Sequence, residues 1–152
     1  MRLILAVFGK ARSGFVESEI ERYTKRLKNT AFPLQVVELK ESRREDKLRA
    51  LSEEAGEFER KFPEKDFVRV LLSEEGKLMN SVEFAHFLEA QQKPVVLLIG
   101  SAYGLDASLK RTAALLLSLS PMTFTHDHAR VIATEQLYRA ATILAGHPYH
   151  HE

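Results

Sequence analysis

Residues 117–152 read LSLSPMTFTHDHARVIATEQLYRAATILAGHPYHHE, and no other stretch of this chain is so dense in groups able to hold an anion or move a proton. A serine-containing loop leads into a helical pattern carrying His126, Arg130, Glu135, Tyr138 and Arg139, and a short tail adds Tyr149, His150 and His151. Asp127 reads as the N-cap of that helix. His126 then stands just outside the helix start and Arg130 one turn inside, straddling the positive end of the helix dipole. That placement favours a phosphate or a developing enolate-like oxygen and keeps the imidazole neutral. Taken alone, His126 reads more simply as a surface or capping histidine, and it is its neighbours that favour the anion site. Glu135, Tyr138 and Arg139 fall at i, i+3 and i+4, on a face distinct from the apolar stripe. The carboxylate there fixes the arginine's fork, either as a plain intrahelical pair or as part of an anion site.

Two loops offer something to bind. Gly100-Ser101-Ala102-Tyr103-Gly104 follows the apolar run VVLLI directly. It reads either as a tight strand-to-helix turn or as a place where the backbone comes close to a ligand at a strand's carboxyl end. It is neither GxGxxG nor a Walker loop, so neither a dinucleotide nor a phosphate cradle is indicated. Leu119, Ser120, Pro121, Met122, Thr123 and Phe124 combine amides, hydroxyls and soft apolar side chains. They suit a flat purine with a thioether-like or sulfonium tail; the competing reading has Met122 and Phe124 plugging the core. Arg22, Lys25, Arg26 and Lys28 form one basic cluster and Arg43, Arg44, Lys47 and Arg49 another. Both read as solvated helix surface, or as phosphate contacts if RNA binds. The terminal histidines lack HExxH or any regular ligand spacing, so no metal is expected.

The elements that must position these groups follow from hydrophobic period. Short apolar runs at 3–8, 34–39, 67–72, 95–99 and 115–119 alternate with amphipathic stretches, which predicts an α/β fold with a mostly parallel sheet covered by helices on both faces. VVLLI, with no alternation, is the expected sheet centre. Val16, Ile20, Tyr23 and Leu27 define one helix face, and Leu48, Leu51, Ala55, Phe58 and Phe62 a second. Asn80 with Glu83 forms a capping box for a third helix. Ala133, Leu137, Ala140, Ala141 and Leu144 line the last, which stops at Gly146. The segment 41–47, ESRREDK, reads as a mobile loop or a solvated helix start. With 152 residues, 45% of them hydrophobic, the chain is expected to form one domain, residues 1–152. Twenty-two basic against 21 acidic side chains leave a net charge of +1 and no global field for nucleic acid. No cysteine is present, which excludes thiolate chemistry, and no apolar run is long enough to cross a bilayer. A cytoplasmic location is the default expectation.

Along essentially its whole length the chain resembles the RlmH-type methyltransferases of the SPOUT superfamily. The likeness rests on the opening LILAVFGK, the LxxxGK-like Leu72 to Lys77, the glycine turn after VVLLI and, above all, LSLSPMTFTHDHARVIATEQLYRAATILAGHPYH. Members of that family place a methyl group from S-adenosylmethionine on N3 of a pseudouridine in 23S ribosomal RNA. The resemblance implies a donor site among Leu72, Gly100, Gly104 and the loop from Leu119 to Phe124, a deep trefoil knot in the C-terminal third, and a homodimer acting on the ribosome. It further implies that His126, Arg130, Tyr149 and His150 lie near the target base; on an RNA substrate Arg22, Lys25, Arg26, Arg139 and His151 are the expected RNA contacts. Two positions depart from the family pattern: Ser101 replaces a second glycine, and His151 stands where a lysine or arginine is usual. The altered tail leaves a second reading, a non-catalytic RNA-binding or ribosome-assembly module that keeps the fold, and a metal-dependent hydrolase using the histidines is a third.

Overall fold

Every residue of the strands β1 (Leu3–Phe8) and β4 (Val95–Ile99) is buried, and alternation divides them between two hydrophobic clusters. This computed structural model describes residues 1–151. Leu3, Leu5, Val7, Val95, Leu97 and Ile99 face one side, where they meet helices α1 (Gly14–Leu27), α3 (Ser81–Glu89) and α5 (His126–Leu144). Ile4, Ala6, Phe8, Val96 and Leu98 face the other, against α2 (Lys47–Lys61) and α4 (Ala107–Thr112). Burial on both faces is why these runs lack polar positions.

With β2 (Leu34–Leu39), β3 (Val68–Leu78) and β5 (Leu115–Ser118) the sheet has the order β2-β1-β4-β3-β5, all pairs parallel. VVLLI is its central strand, as its composition predicts. From β1 the chain runs outward to β2, whereas from β4 it runs outward past β3 to β5. The crevice at the carboxyl ends of β1 and β4 is therefore the topological switch point, where open α/β sheets bind ligands.

Local signals account for most boundaries. Asn80 and Glu83 exchange both capping-box bonds at the start of α3. Asp46 caps α2 by accepting from the Arg49 amide, so the basic segment before it is irregular chain rather than helix. Four expectations need correction. Leu48 is 77% exposed and not part of the α2 core stripe, which begins with Ala50 and Leu51 and runs to one side of Leu48. Thr125, not Asp127, caps α5, its hydroxyl accepting from the His128 amide, so His126 is the first helical residue. Asp127 instead accepts from the Arg12 and Ser13 amides at the start of α1, at 3.2 and 3.1 Å. Tyr138 belongs to the core, its ring 5.2 Å from that of Tyr23 at a 41° tilt, although it shares a face with Glu135. The six-residue α4, too short to show a stripe, was not foreseen and starts from the Asp106 cap.

The strand β3 runs on to Leu78, but its register against β5 jumps: Leu72 and Lys77 both oppose Leu117. Residues 73–76 thus bulge out of the ladder. A Cβ on Gly76 would stand 2.6 Å from the Leu116 carbonyl oxygen, so the two backbones touch there and only glycine fits. Such a close crossing is what a threaded chain needs; the trefoil knot itself stays an implication of the resemblance. Among the described residues no helix is long and apolar enough to cross a membrane.

Candidate active site

Three segments converge where the bulge of β3 meets the carboxyl ends of β4 and β5. The bulge supplies Leu72, Ser73, Glu74 and Glu75, the turn after β4 supplies Gly100, Ser101 and Gly104, and the loop before α5 supplies Leu119, Ser120, Met122 and Phe124. Together with Ile99, Leu105, Lys110, His126 and Ala129 they enclose a cavity of about 330 Å³, within the usual size range for small-ligand sites. The turn is tight: a Cβ on Gly100 would come within 2.5 Å of the Gly104 carbonyl oxygen, and Gly104 has φ +89°. The loop is shaped by its serines, Ser118 donating to the Ser120 carbonyl at 2.9 Å and Ser120 accepting from the Met122 amide at 3.0 Å. Met122 is 74% exposed and does not plug the core. Pro121 and Thr123 lie on the same loop, exposed, and do not line the cavity.

A second crevice, of about 650 Å³, opens beside the first at the switch point. Phe8, Lys10, Arg12 and Phe15 wall one side, Glu41 another, and Thr125, His126, Asp127, His128 and Arg130 a third. Gly100, Ser101 and His126 line both spaces, so the glycine turn and one imidazole form the partition between them. Arg130 is buried at 6% exposure, and one of its terminal nitrogens donates to the Phe8 carbonyl at 2.8 Å. Its Nε is buried without a protein partner. Burial pushes the guanidinium pKa down, opposed by the charges of Asp127, Glu38 and Glu41. Arg130 lines the crevice but not the smaller cavity, so it does not sit at an open helix tip as the spacing suggested.

Tyr149 and His150 are not in this neighbourhood. The Tyr149 hydroxyl donates to Glu135 at 2.9 Å, and its ring packs edge-on against Tyr138 at 4.8 Å. Arg139 donates twice to the same Glu135 oxygen, lies 4.8 Å over the Tyr149 ring and meets His150 Nδ1 at 3.1 Å. Burial first, then the bond to Glu135, hold the Tyr149 phenol above its ordinary pKa, so it is a neutral donor and not a base. At 1.5 Å per residue His126 and Arg139 stand about 20 Å apart along α5, and the nearest members of the two groups, Arg130 and Glu135, about 8 Å. The sequence motif is contiguous, but in one chain it makes two separate clusters.

Of the basic residues of α1, Arg22 and Arg26 sit near this second cluster, whereas Lys25 and Lys28 line a groove that also includes Arg130. Arg22 pairs with Glu19 at 3.2 Å and Lys25 with Glu21 at 2.9 Å, while Arg26 lies over the Tyr23 and Tyr138 rings. His151 is exposed. Among the described residues no cluster of three or more metal-ligating side chains occurs. Ser73, Glu74, Glu75 and Lys110 escaped notice as cavity residues. The Gly76-Lys77 pair interrupting a strand was the one available sign of the bulge that carries the first three, and Glu75 and Lys110 pair at 3.3 Å at its rim.

A family model described as "Predicted SPOUT methyltransferase" matches residues 1–150, and the chain belongs to that family. The chain is 40% identical over 153 residues to the ribosomal RNA large subunit methyltransferase H of Gloeobacter violaceus, covering 99% of each. It is 43% identical over 150 residues to that of Synechococcus sp. strain RCC307, covering 98% of this chain and 94% of the other. Among solved structures, a probable methylase family protein from Haemophilus influenzae Rd KW20 superposes with a TM-score of 0.61 at 14% identity, over 95% of this chain and 66% of that one. That likeness concerns the fold.

Proposed function

We propose that this chain is an S-adenosylmethionine-dependent methyltransferase that modifies N3 of a pseudouridine in the 23S RNA of the large ribosomal subunit, in the cytoplasm and as a homodimer. The observation that carries the reading is the pair of adjoining spaces, one sized for a donor and one open to an acceptor, divided only by the 100–104 turn and His126. The residues of the smaller cavity fit the donor. Leu72, Ile99, Leu105, Leu119, Met122 and Phe124 offer apolar faces for a purine, and Glu74 and Glu75 offer carboxylates for its cationic portion. When bound, S-adenosylmethionine supplies an electrophilic methyl group. What the protein must add is alignment and a place for the acceptor's negative charge.

N3 of pseudouridine lies between two carbonyls, so loss of its proton spreads charge onto both oxygens. Arg130, a lasting cation with an unpartnered Nε beside the crevice, stabilises that anion. His126, facing both spaces, orients the base or takes the N3 proton. Tyr149 and His150 reach a crevice only in trans: in a dimer the tail of the partner subunit completes the base site, with Arg139 and His151 toward RNA. Arg22, Lys25 and Arg26 are its outlying phosphate contacts. The test is methyl transfer from labelled S-adenosylmethionine to ribosomes lacking the modification, followed by mass mapping of the 23S RNA. Label at N3 of a pseudouridine is the expected result; a protein that binds ribosomes but neither binds the donor nor transfers methyl is instead the non-catalytic module.

A further inference from the structure

Glu54 lies mid-way along α2, among Ala50, Leu51, Ala55 and Phe58, at 3% exposure. A carboxylate so placed needs its oxygens satisfied. One oxygen accepts from the Ser101 hydroxyl at 2.6 Å and the other from the Ser42 amide at 3.0 Å. These partners belong to different walls. Ser101 is in the glycine turn that divides the two spaces, and its carbonyl closes that turn by accepting from the Gly104 amide at 2.8 Å. Ser42 follows Glu41, which lines the outer crevice, and its hydroxyl accepts from the Arg44 amide at 3.2 Å. Arg44 is in turn held to Glu53 on α2 at 2.6 Å.

We propose that Glu54 is a positioning residue that clamps the 100–104 turn and the 40–46 segment to α2 through Ser101 and Ser42, setting the partition between donor cavity and acceptor crevice. An apolar residue would fill the site at lower desolvation cost, so the carboxylate's contribution is directional: two fixed acceptors aimed at two loops. Ser101 is the matching half. A residue there without a hydroxyl would leave one Glu54 oxygen buried without its donor. The clamp acts through Ser101 on the donor cavity and through Ser42 on the acceptor crevice, so its loss loosens both sites together.

The inference rests on the donor and acceptor assignments above, and wild-type binding of S-adenosylmethionine is the control that separates them. If the wild-type chain does not bind the donor, the assignment fails and the clamp's role with it. Given wild-type binding, Ser101→Ala keeps the Cβ and removes only the hydroxyl. It should weaken donor affinity about tenfold, the scale of one buried hydrogen bond to a charged acceptor, and raise the KM for ribosomes. kcat at saturation should stay within about threefold, because loss of a binding geometry common to ground and transition state moves KM and not kcat. Ser101→Thr, which retains the hydroxyl, should restore both constants. Glu54→Gln should act in the same direction, and the double variant should be no weaker than the weaker single, as for two ends of one contact. Donor affinity in Ser101→Ala equal to wild type, effects that add in the double variant, or a Ser101→Thr variant as weak as Ser101→Ala would each overturn the proposal. Should Glu54→Gln not fold, the alanine and threonine pair at position 101 decides it.

Discussion

Arg130 concentrates what a residue type can and cannot announce. Its charge and its place in the motif marked it for an anion, but no local pattern encodes the Phe8 carbonyl 122 positions away that holds its fork. If it stabilises the acceptor anion, Arg130→Ala should lower kcat by about 100-fold or more with little change in donor affinity, the usual cost of removing one preorganised charge donor. Arg130→Lys should not rescue, since an ammonium cannot keep the Phe8 bond and present a second donor in the same plane. Near wild-type turnover in the alanine variant would remove Arg130 from the reaction. The cap of α5 is ambiguous in sequence for a related reason: Thr125 and Asp127 are both good caps, and the Arg12 and Ser13 amides, remote in sequence, claim Asp127. Tyr149 permits a test by pH. Its phenol pKa is raised in the folded chain, so its contribution to stability is fully present below the unfolded value of about 10 and is lost as pH rises beyond it. Tyr149→Phe should cost roughly 1 kcal/mol at neutral pH and flatten the alkaline decline in unfolding midpoint; an unchanged decline would show that another group causes it.

At the level of elements, periodicity carried furthest where a strand or helix is buried on a regular face. The five strands, the central place of VVLLI and the α3 capping box were all legible, because each is set by side chains two to four positions apart. The bulge at residues 73–76 was not, because it answers to β5 lying against it and not to its own composition. Gly76 is the residue that permits it. Gly76→Ala should lower the melting temperature by several degrees, as a ΔΔG on the order of 1–3 kcal/mol does in a chain of this size. Because Ser73, Glu74 and Glu75 ride on the bulge, donor affinity should fall even at temperatures where the variant is fully folded. Gly56→Ala is the matched control, since a Cβ there meets nothing within 4 Å and the residue is helical; it should leave binding unchanged. Equal donor affinity in the two variants would separate the bulge from the donor site.

For the molecule as a whole, the tension lies in a motif continuous in sequence and divided in space. His126 and Arg130 attend the switch-point crevice, while Tyr149 and His150 are tied to Glu135 and Arg139, five to thirteen residues further along the same helix, a rise of about 8 to 20 Å. In one chain the tail's bonds to Glu135 and Arg139 hold Tyr149 and His150 on that part of α5. The proposed two-fold pairing would resolve the tension by bringing each tail to the other protomer's crevice, and a mixed-dimer experiment distinguishes that arrangement from a tail acting in its own chain. Two inactive chains are co-expressed, one carrying Arg130→Ala and the other Tyr149→Phe with His150→Ala. If the tail acts in trans, each mixed dimer contains one site with an intact Arg130 from one protomer and an intact tail from the other, alongside one doubly defective site. Random pairing then makes half the dimers mixed, and methyl transfer should recover to about a quarter of the wild-type level. If the tail acts in cis, every site in the mixed dimer lacks one partner and activity stays at the level of the separate variants. Sedimentation as a monomer at micromolar concentration would exclude the shared site by itself.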